Sequence, residues 1–206
     1  KPDSVALCFR DERAFFIDYY QASDNIYYLQ YNRCWSTELE LQYGNAQNAE
    51  KMPSFKEFEE KVFQTITKHS IDKVVFDIRF NGGGNSSQVT EFVVKFAKIL
   101  EKKPETKIYV ILGRHTFSSA ILNAMDFKLI TNATFIGEET TSKPNHFGQV
   151  KSFQLPNSGI KVNYSTKYFK RTDGKVSTLS PELKLESSLS DFDNGIEPAY
   201  ESIKKQ

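Results

Sequence analysis

A serine at the start of a predicted helix is the first residue in this sequence that could do chemistry. Ser118 follows the apolar run Lys107–Leu112 by a short turn, and the pattern predicts a helix from Thr116 to Met125. Helix N-termini carry partial positive charge and unpaired amides, which stabilise an oxyanion formed beside a serine hydroxyl. Serine is also a preferred helix cap. Both interpretations of Ser118 and Ser119 therefore fit the residues.

A glycine-rich loop is the second candidate for chemistry. Asn81-Gly82-Gly83-Gly84-Asn85 ends the β-branched run Ile71–Phe80, and glycines let a backbone amide turn toward a ligand. No Lys-Ser or Lys-Thr pair follows the loop and the GxGxxG spacing is missing, so the loop does not match a phosphate-binding loop. A flexible turn and an oxyanion donor both fit the sequence.

The candidate general bases are one lysine and two histidines. Lys143 has uncharged neighbours, and a lysine acts as a base only where burial lowers its pKa. His146 and His115 compete with it, because histidine titrates near neutral pH without such help. His69 is predicted to end a helix and to take no part in catalysis. No carboxylate pair or metal-ligand cluster stands out in the sequence.

Alternating strands and helices must bring these residues together. The strands over 72–79, 107–112 and 133–137 are predicted to be parallel neighbours, because strand–helix–strand connections are right-handed crossovers. Ligands bind at the carboxyl ends of such strands, where the three candidate loops would meet. The other predicted elements are a strand over 25–31, a helix begun by a Ser54–Glu57 capping box, a helix over 86–101, a hairpin of 149–154 and 160–164, and a closing helix over 197–204. Residues 42–52 and 171–195 are predicted to be loops.

The composition excludes several function classes. The chain has 206 residues, which predicts a single domain over 1–206, and its net charge of +1 favours neither nucleic acid nor an anionic membrane as partner. Exposed lysines such as Lys167, Lys170 and Lys175 are interpreted as a solvated face. The longest apolar runs are far too short to span a bilayer.

Cysteine content and the first residue complete the general expectations. Cys8 and Cys34 lie in apolar or aromatic surroundings and are predicted to be free buried thiols rather than a disulfide. The chain begins with Lys in polar sequence, so we expect a cut or processed form that lacks an N-terminal region of the full protein. The sequence does not specify an oligomeric state.

Four segments, taken in order, resemble those of the C-terminal processing (tail-specific) serine peptidases. Residues 77–84, DIRFNGGG, resemble the family's D-x-R-x-N-x-G-G, and residues 116–120, TFSSA, resemble its T-A-S-A-S. Residues 137–143, GEETTSK, resemble G-E-P-T-x-G-K, and the lysine follows the serine by 25 positions, as the family leads us to expect. Residues 194–198, NGIEP, resemble G-x-D-P. Residues 143–148, KPNHFG, resemble a bacterial branch with K-P-N-H-[YF]-G.

This resemblance covers about residues 25 to 203, and it implies both a fold and a site. The fold is α/β, a crotonase/Clp-protease-like spiral of β-β-α units with a parallel core sheet and a C-terminal β-hairpin. The site residues that it implies are Ser118 as nucleophile, Lys143 as general base, the amides of Gly83 and Ser119 as oxyanion hole, and His146, Arg79 and Asn81 as accessory residues. It further implies hydrolysis of a peptide or protein substrate through an acyl-enzyme, no metal or organic cofactor, and export from the cytoplasm.

The chain departs from the family pattern at several positions. Ile121 replaces a glutamate, Gly82 a proline and Ser142 a glycine, and no PDZ domain is evident. Two other functions stay open on the same fold. One is a non-catalytic module that binds a peptide or a hydrophobic ligand, and the other is a Ser–His hydrolase that uses His146 or His115.

Overall fold

A six-stranded mixed sheet forms the centre of the protein in a computed structural model, which describes residues 5–206. The strands are β1 (Phe16–Gln21), β2 (Ile26–Tyr31), β3 (Lys73–Asp77), β4 (Lys107–Leu112), β5 (Thr134–Gly137), β6 (His146–Gln154), β7 (Lys161–Phe169) and β8 (Leu183–Lys184). The sheet order is β1-β2-β3-β4-β5-β8, and β6 pairs only with β7 in a separate antiparallel hairpin.

The central strands are parallel neighbours, as predicted. β2, β3, β4, β5 and β8 run parallel, and β1 is an antiparallel edge strand on β2. The carboxyl ends of β3, β4 and β5 therefore meet at one edge of the sheet. This arrangement confirms the predicted α/β fold with a parallel core sheet and a hairpin, although β1 was not predicted.

Helices cover both faces of the sheet. They are α1 (Thr37–Tyr43), α2 (Ala46–Ala49), α3 (Phe55–Lys68), α4 (Ser87–Leu100), α5 (Ser119–Thr131), α6 (Leu189–Asp193) and α7 (Pro198–Lys205). The prediction of loops over 42–52 and 171–195 is wrong in part, because α2 lies in the first segment and β8 and α6 lie in the second. These elements are short and polar, so no apolar periodicity marks them. No helix within residues 5–206 has the length and apolar character needed to cross a bilayer.

The central strands β2, β3, β4 and β5 are buried on both faces, which explains their continuous apolar runs. In β3, Val74 and Phe76 face a core shared with α3, α4 and α5, whereas Val75 faces a second core against α7. Phe76 packs on Phe92 of α4 and on Phe127 of α5, with ring centroids 6.4 and 4.4 Å away. The aromatic contacts fix both helices on the sheet.

Helix α5 is buried on all sides at its N-terminal end. Every residue from Ser119 to Phe127 is buried, including Asn123 and Asp126, which are polar. The helix continues past the predicted end at Met125 to Thr131, and Asn132 closes it in a left-handed conformation with φ 55°. The buried core around α5 therefore holds the N-terminal end of this helix, next to Ser118, in a fixed position.

The two cysteines are free and buried, as predicted. Burial raises the pKa of the Cys8 thiol and of the Cys34 thiol to about 12 in each case. Neither thiol therefore ionises near neutral pH.

The N-terminus of α3 is capped by two residues, one of them distant in sequence. Ser54 Oγ accepts a hydrogen bond from Glu57 N, as predicted. The carboxylate of Glu38 in α1 accepts from the amides of Phe55 and Lys56 at 3.1 and 3.2 Å and from Ser54 Oγ. The Glu57 carboxylate makes no hydrogen bond to Ser54 N within residues 5–206, so the predicted capping box is only half formed, and Glu38 caps the first amides of α3 instead.

Glu38→Gln should destabilise the protein at neutral pH by about 1 kcal/mol, the usual effect of a lost cap. Burial alone would raise the pKa of Glu38, but the hydrogen bonds lower it to about 2. A lowered pKa stabilises the folded state above the unfolded pKa, and this stabilisation is lost as the pH falls through the folded pKa. Urea unfolding should show that the difference between wild type and variant shrinks from pH 5 toward pH 2, roughly. A difference that is independent of pH would contradict this role of Glu38.

Candidate active site

Three loops meet at the carboxyl edge of the sheet, as the sequence predicted. The amide of Phe117 donates to the carbonyl of Asn81 at 3.0 Å, which joins the loop after β4 to the glycine loop after β3. Thr141 Oγ1 donates to the carbonyl of Arg114 at 2.9 Å, which joins the segment after β5 to the turn before Ser118. The edge is therefore one continuous surface built from these loops.

Ser118 lies directly before α5 in a strained backbone conformation. Its φ and ψ are 52° and −120°, a region that a residue with a side chain rarely adopts and that costs on the order of 1–3 kcal/mol. Its side chain makes no capping hydrogen bond, and the Ser119 hydroxyl donates instead to the carbonyl of Gly84 at 2.7 Å. The interpretation of these serines as helix caps is therefore wrong. The half-buried hydroxyl of Ser118 is left free at the helix N-terminus.

The backbone amide of Ser119 is placed to receive negative charge beside Ser118. It is the first residue of α5, and among residues 5–206 its N–H has no hydrogen-bond acceptor. A methyl group added to Gly83 would lie 2.9 Å from Ser118 Cβ and 3.1 Å from Ser119 N. The glycine loop thus packs directly against the serine turn, and only a residue without a side chain fits there.

The amide of Gly83, the other predicted oxyanion donor, is engaged within the protein. Gly83 has φ 98°, and its N–H donates to Asn81 Oδ1 at 2.8 Å. The structure therefore brings Gly83 and Ser119 together but leaves only the Ser119 amide unpaired. The hydrogen bond from Gly83 N to Asn81 Oδ1 would have to break before this N–H could bind an oxyanion.

Asn81 connects the end of β2 to the glycine loop of the site, and its side chain does not face solvent. Its side chain is fully buried, and its Nδ2 donates to the carbonyl of Tyr31 at the end of β2 at 2.9 Å. Its Oδ1 accepts from Gly83 N and from Cys34 Sγ, the latter at 3.3 Å. Cys34 N in turn donates to the carbonyl of Gly83, and the carbonyl of Cys34 accepts from Asn85 N. Sequence reasoning missed Cys34, because nothing local in the sequence links it to the glycine loop.

Arg79 is the centre of a buried ion cluster rather than a solvent-facing group. Its guanidinium bonds both carboxylate oxygens of Asp77 at 2.9 and 3.0 Å and Glu197 Oε1 at 2.7 Å. Burial would lower the pKa of Arg79, but the two carboxylates raise it well above its usual value. Glu197 also caps α7 through the amides of Ala199 and Tyr200. Two motifs from distant parts of the chain therefore meet in one cluster.

Lys143 does not contact Ser118 in this structure. Its side chain is exposed and forms no hydrogen bond or ion pair within residues 5–206. The segment before it is fixed by Thr140, whose buried hydroxyl donates to the carbonyl of Ser142 and accepts from Leu179 N. The burial that a lysine base requires is absent in this conformation.

Neither His146 nor His115 forms a hydrogen bond with Ser118 within residues 5–206. His146 contacts the carbonyl of Lys143 through Nδ1 at 3.0 Å, and its buried Nε2 has no partner among the described residues. His115 is exposed. His69 ends α3, as predicted, and packs on Tyr20 with ring centroids 4.5 Å apart.

A groove of about 750 Å³ opens beside Lys143, at the base of the hairpin. Its walls include the side chains of Lys143, His146, Phe147, Tyr168, Lys175 and Val176, but not that of Ser118. Across residues 5–206, no group of three or more His, Cys, Asp or Glu side chains is placed to hold a metal ion.

Comparison with known proteins identifies the fold but no close relative. No family model matches the sequence, and no curated protein is significantly similar to it. Among solved structures, the chain is similar to one from Parabacteroides merdae described as a candidate peptidase, with a TM-score of 0.59 and 18% identity over 92% of this chain and 63% of that one. It is also similar to mature CPAF, with a TM-score of 0.56 and 13% identity over 87% of this chain and 50% of that one.

A third similar structure is the photosystem II D1 C-terminal processing protease, with a TM-score of 0.51 and 17% identity over 84% of this chain and 47% of that one. The chain thus spans between about half and 63% of the lengths of these three proteins. They share the fold that the resemblance implied, which is confirmed. Membership of the bacterial branch with the K-P-N-H-[YF]-G motif stays a prediction.

Gly83→Ala should destabilise the protein by at least about 1 kcal/mol, because the residue has a positive φ and the new methyl group would press on Ser118. Gly82→Ala is the matched control, since a methyl group there has no atom within 4 Å. Its stability should stay within roughly 0.5 kcal/mol of wild type. Denaturant unfolding measures both, and equal effects would contradict the close packing of Gly83 on the serine turn.

Proposed function

We propose that this protein is a serine hydrolase that cleaves peptide bonds with Ser118 as nucleophile. The observation that carries the proposal is the strained Ser118 at the N-terminus of buried α5, next to the unpaired amide of Ser119. Strain at a free serine hydroxyl is typical of a functional position. The fold shared with proteins described as peptidases supports peptide bonds as the substrate class.

The proposed reaction follows the acyl-enzyme route. The Ser118 oxygen bonds to the peptide carbonyl carbon while a base takes its proton, and the carbonyl oxygen becomes an oxyanion beside the Ser119 amide. The C–N bond then breaks and the leaving amine takes the proton from the base. Water attacks the ester in the same way and releases the acid. Gly83 N–H adds a second oxyanion donor once it leaves Asn81 Oδ1.

Lys143 is the proposed base, and it must move to act. The resemblance assigns this role to it, and the hydrogen bond of Thr141 to Arg114 keeps its segment beside the serine turn. Substrate binding would have to turn Nζ inward and exclude water around it, since a lysine accepts a proton only when desolvated. Both the base and the second oxyanion donor therefore depend on a closed conformation.

A fluorophosphonate probe should label Ser118, with one adduct per chain by intact mass. Ser118→Ala should abolish the labelling, because it removes the attacking oxygen. Ser119→Ala is the matched control, because it keeps the backbone amide and loses only the hydroxyl bond to Gly84. It should still be labelled. Labelling that survives in Ser118→Ala would place the nucleophile elsewhere.

Lys143→Arg should lower peptide hydrolysis by at least roughly 100-fold, since a guanidinium keeps the charge but does not release its proton. Lys175→Arg is the matched control, because this exposed lysine lines the same groove. It should retain turnover, as should His146→Ala. Loss of turnover in His146→Ala with retention in Lys143→Arg would replace the Ser–Lys dyad by a Ser–His pair.

A non-catalytic binding module is the second candidate function. The exposed Lys143 and the engaged Gly83 amide favour it, because both catalytic features are incomplete in this conformation. If the fluorophosphonate probe does not label the wild-type protein but the protein binds a peptide, the function is that of a binding module.

A further inference from the structure

The hairpin and its flanks concentrate positive charge that the composition of the whole chain conceals. Residues 143–176, here called the basic arm, contain seven basic residues and one acidic residue. Their net charge is +6, whereas the whole chain carries +1, so the remainder carries −5. The arm therefore forms a separate electrostatic surface on a protein that is close to neutral.

Most of this charge has no partner within the protein. Lys170 pairs with Asp173 at 2.7 Å and Arg171 with Asp126 at 3.1 Å. The other five cations form no ion pair within residues 5–206 and are all exposed; they are Lys143, Lys151, Lys161, Lys167 and Lys175. The register of the hairpin places Lys151 on the face that carries Phe147, Tyr168 and Tyr164, whereas Lys161 and Lys167 lie on the other face. The free cations on the side of the aromatic residues and the groove are therefore Lys143, Lys151 and Lys175, and unpaired cations on one surface attract an anionic partner at short range.

The arm also exposes aromatic side chains that pair with one another. Phe147 pairs with Tyr168, and Phe153 with Tyr164, at ring-centroid distances of 4.8 and 6.1 Å. Their exposed fractions lie between 47% and 71%, although large apolar side chains of this kind are normally buried. Exposed aromatic groups beside free lysines favour a ligand that offers both apolar and negative groups.

The base of the arm is fixed to the helix that carries Ser118. Arg171 bonds Asp126 of α5, and Asn145 bonds the backbone of Arg171 and Thr172 across the hairpin. The 750 Å³ groove lies at this base, with Phe147, Tyr168 and Lys143 in its walls. An occupant of the groove would therefore lie next to the candidate base and near the serine turn.

We propose that the basic arm and its groove bind an extended substrate segment in which carboxylates alternate with bulky apolar side chains. The identity of this ligand as a substrate rests on the proposed function. Aspartate or glutamate side chains would pair with the free lysines, and an aromatic or aliphatic side chain would enter the groove. A concave groove at the base of the hairpin suits a polypeptide better than a flat lipid surface.

Binding is measured with Ser118→Ala, so that no turnover occurs. Three short fluorescent peptides are compared by anisotropy, with Glu-Phe, Gln-Phe and Lys-Phe repeats. The Glu-Phe peptide should bind at least roughly tenfold more tightly than the Gln-Phe peptide, and the difference should shrink as salt is added. The Lys-Phe peptide should bind most weakly. Equal binding of the three peptides would overturn the proposal.

Two matched triple variants locate the binding surface. Changing Lys143, Lys151 and Lys175 to Gln should remove the preference for the Glu-Phe peptide. The control changes three exposed lysines outside the arm that form no ion pair within residues 5–206, Lys56, Lys98 and Lys102, to Gln and should leave the preference intact. Phe147→Ser should weaken binding of both Glu-Phe and Gln-Phe peptides, whereas Tyr43→Ser, also at an exposed aromatic residue, should not. Equal effects of the two triple variants would also overturn the proposal.

Other partners are tested in the same assay. Vesicles of phosphatidylserine, or an oligonucleotide, that bind the arm more tightly than the Glu-Phe peptide at equal salt would assign it to a different ligand. An increase in the molar mass of the protein in solution that the triple lysine variant of the arm abolishes would indicate self-association. That result would also assign the arm to a different ligand. Fluorophosphonate labelling is measured separately on the wild type. Peptide preference without labelling removes the hydrolase function alone, and labelling without peptide preference removes the arm proposal alone.

Discussion

The candidate site depends on one fully buried side chain, that of Asn81. Its amide group joins the end of β2, at Tyr31, to the glycine loop, at Gly83, while its backbone carbonyl accepts from Phe117 beside Ser118. A buried amide must satisfy its donors and acceptors or destabilise the fold. The hydrogen bonds of this residue therefore fix the distance between the glycine loop and the serine turn. The same bond to Gly83 occupies the amide that the proposed reaction needs as its second oxyanion donor.

The ion cluster of Asp77, Arg79 and Glu197 gives the site its second constraint. It joins the end of β3 to the N-terminus of α7, which lie more than a hundred residues apart in sequence. Removing one member of a buried ion cluster leaves an uncompensated charge, which costs several kcal/mol. The chain must therefore fold as one unit before the edge that carries Ser118 is complete. Residues 77–84 and 194–198, which resemble motifs of a peptidase family, therefore also stabilise the fold.

The sequence predicted those parts of the structure that depend on local pattern. The three parallel strands were predicted correctly because their β-branched runs are unmistakable, and the convergence of the loops follows from the handedness of the crossovers. Contacts such as Cys34 with Asn81 or Glu38 with the start of α3 could not be predicted, since they join residues whose spacing carries no signal. The exposed side chain of Lys143 could not be predicted for another reason: sequence spacing says which segment a residue is in, but not which way its side chain turns. The net charge of the whole chain, +1, similarly gave no sign of the basic arm, because acidic residues elsewhere offset the +6 of residues 143–176.

The buried thiols have a consequence for how the protein can be studied. Cys8 and Cys34 are both almost completely inaccessible and keep their protons at neutral pH, so alkylating reagents reach them only when the surrounding core opens. Cys34 lies under the glycine loop, whereas Cys8 lies close enough to β2 for its carbonyl to accept from Gln30. The rate at which each thiol is modified under native conditions would therefore report separately on opening beneath the glycine loop and on opening around the ion cluster of Asp77, Arg79 and Glu197, whose charges act on Cys8. The two modification rates would therefore measure local opening at two separate places in the fold.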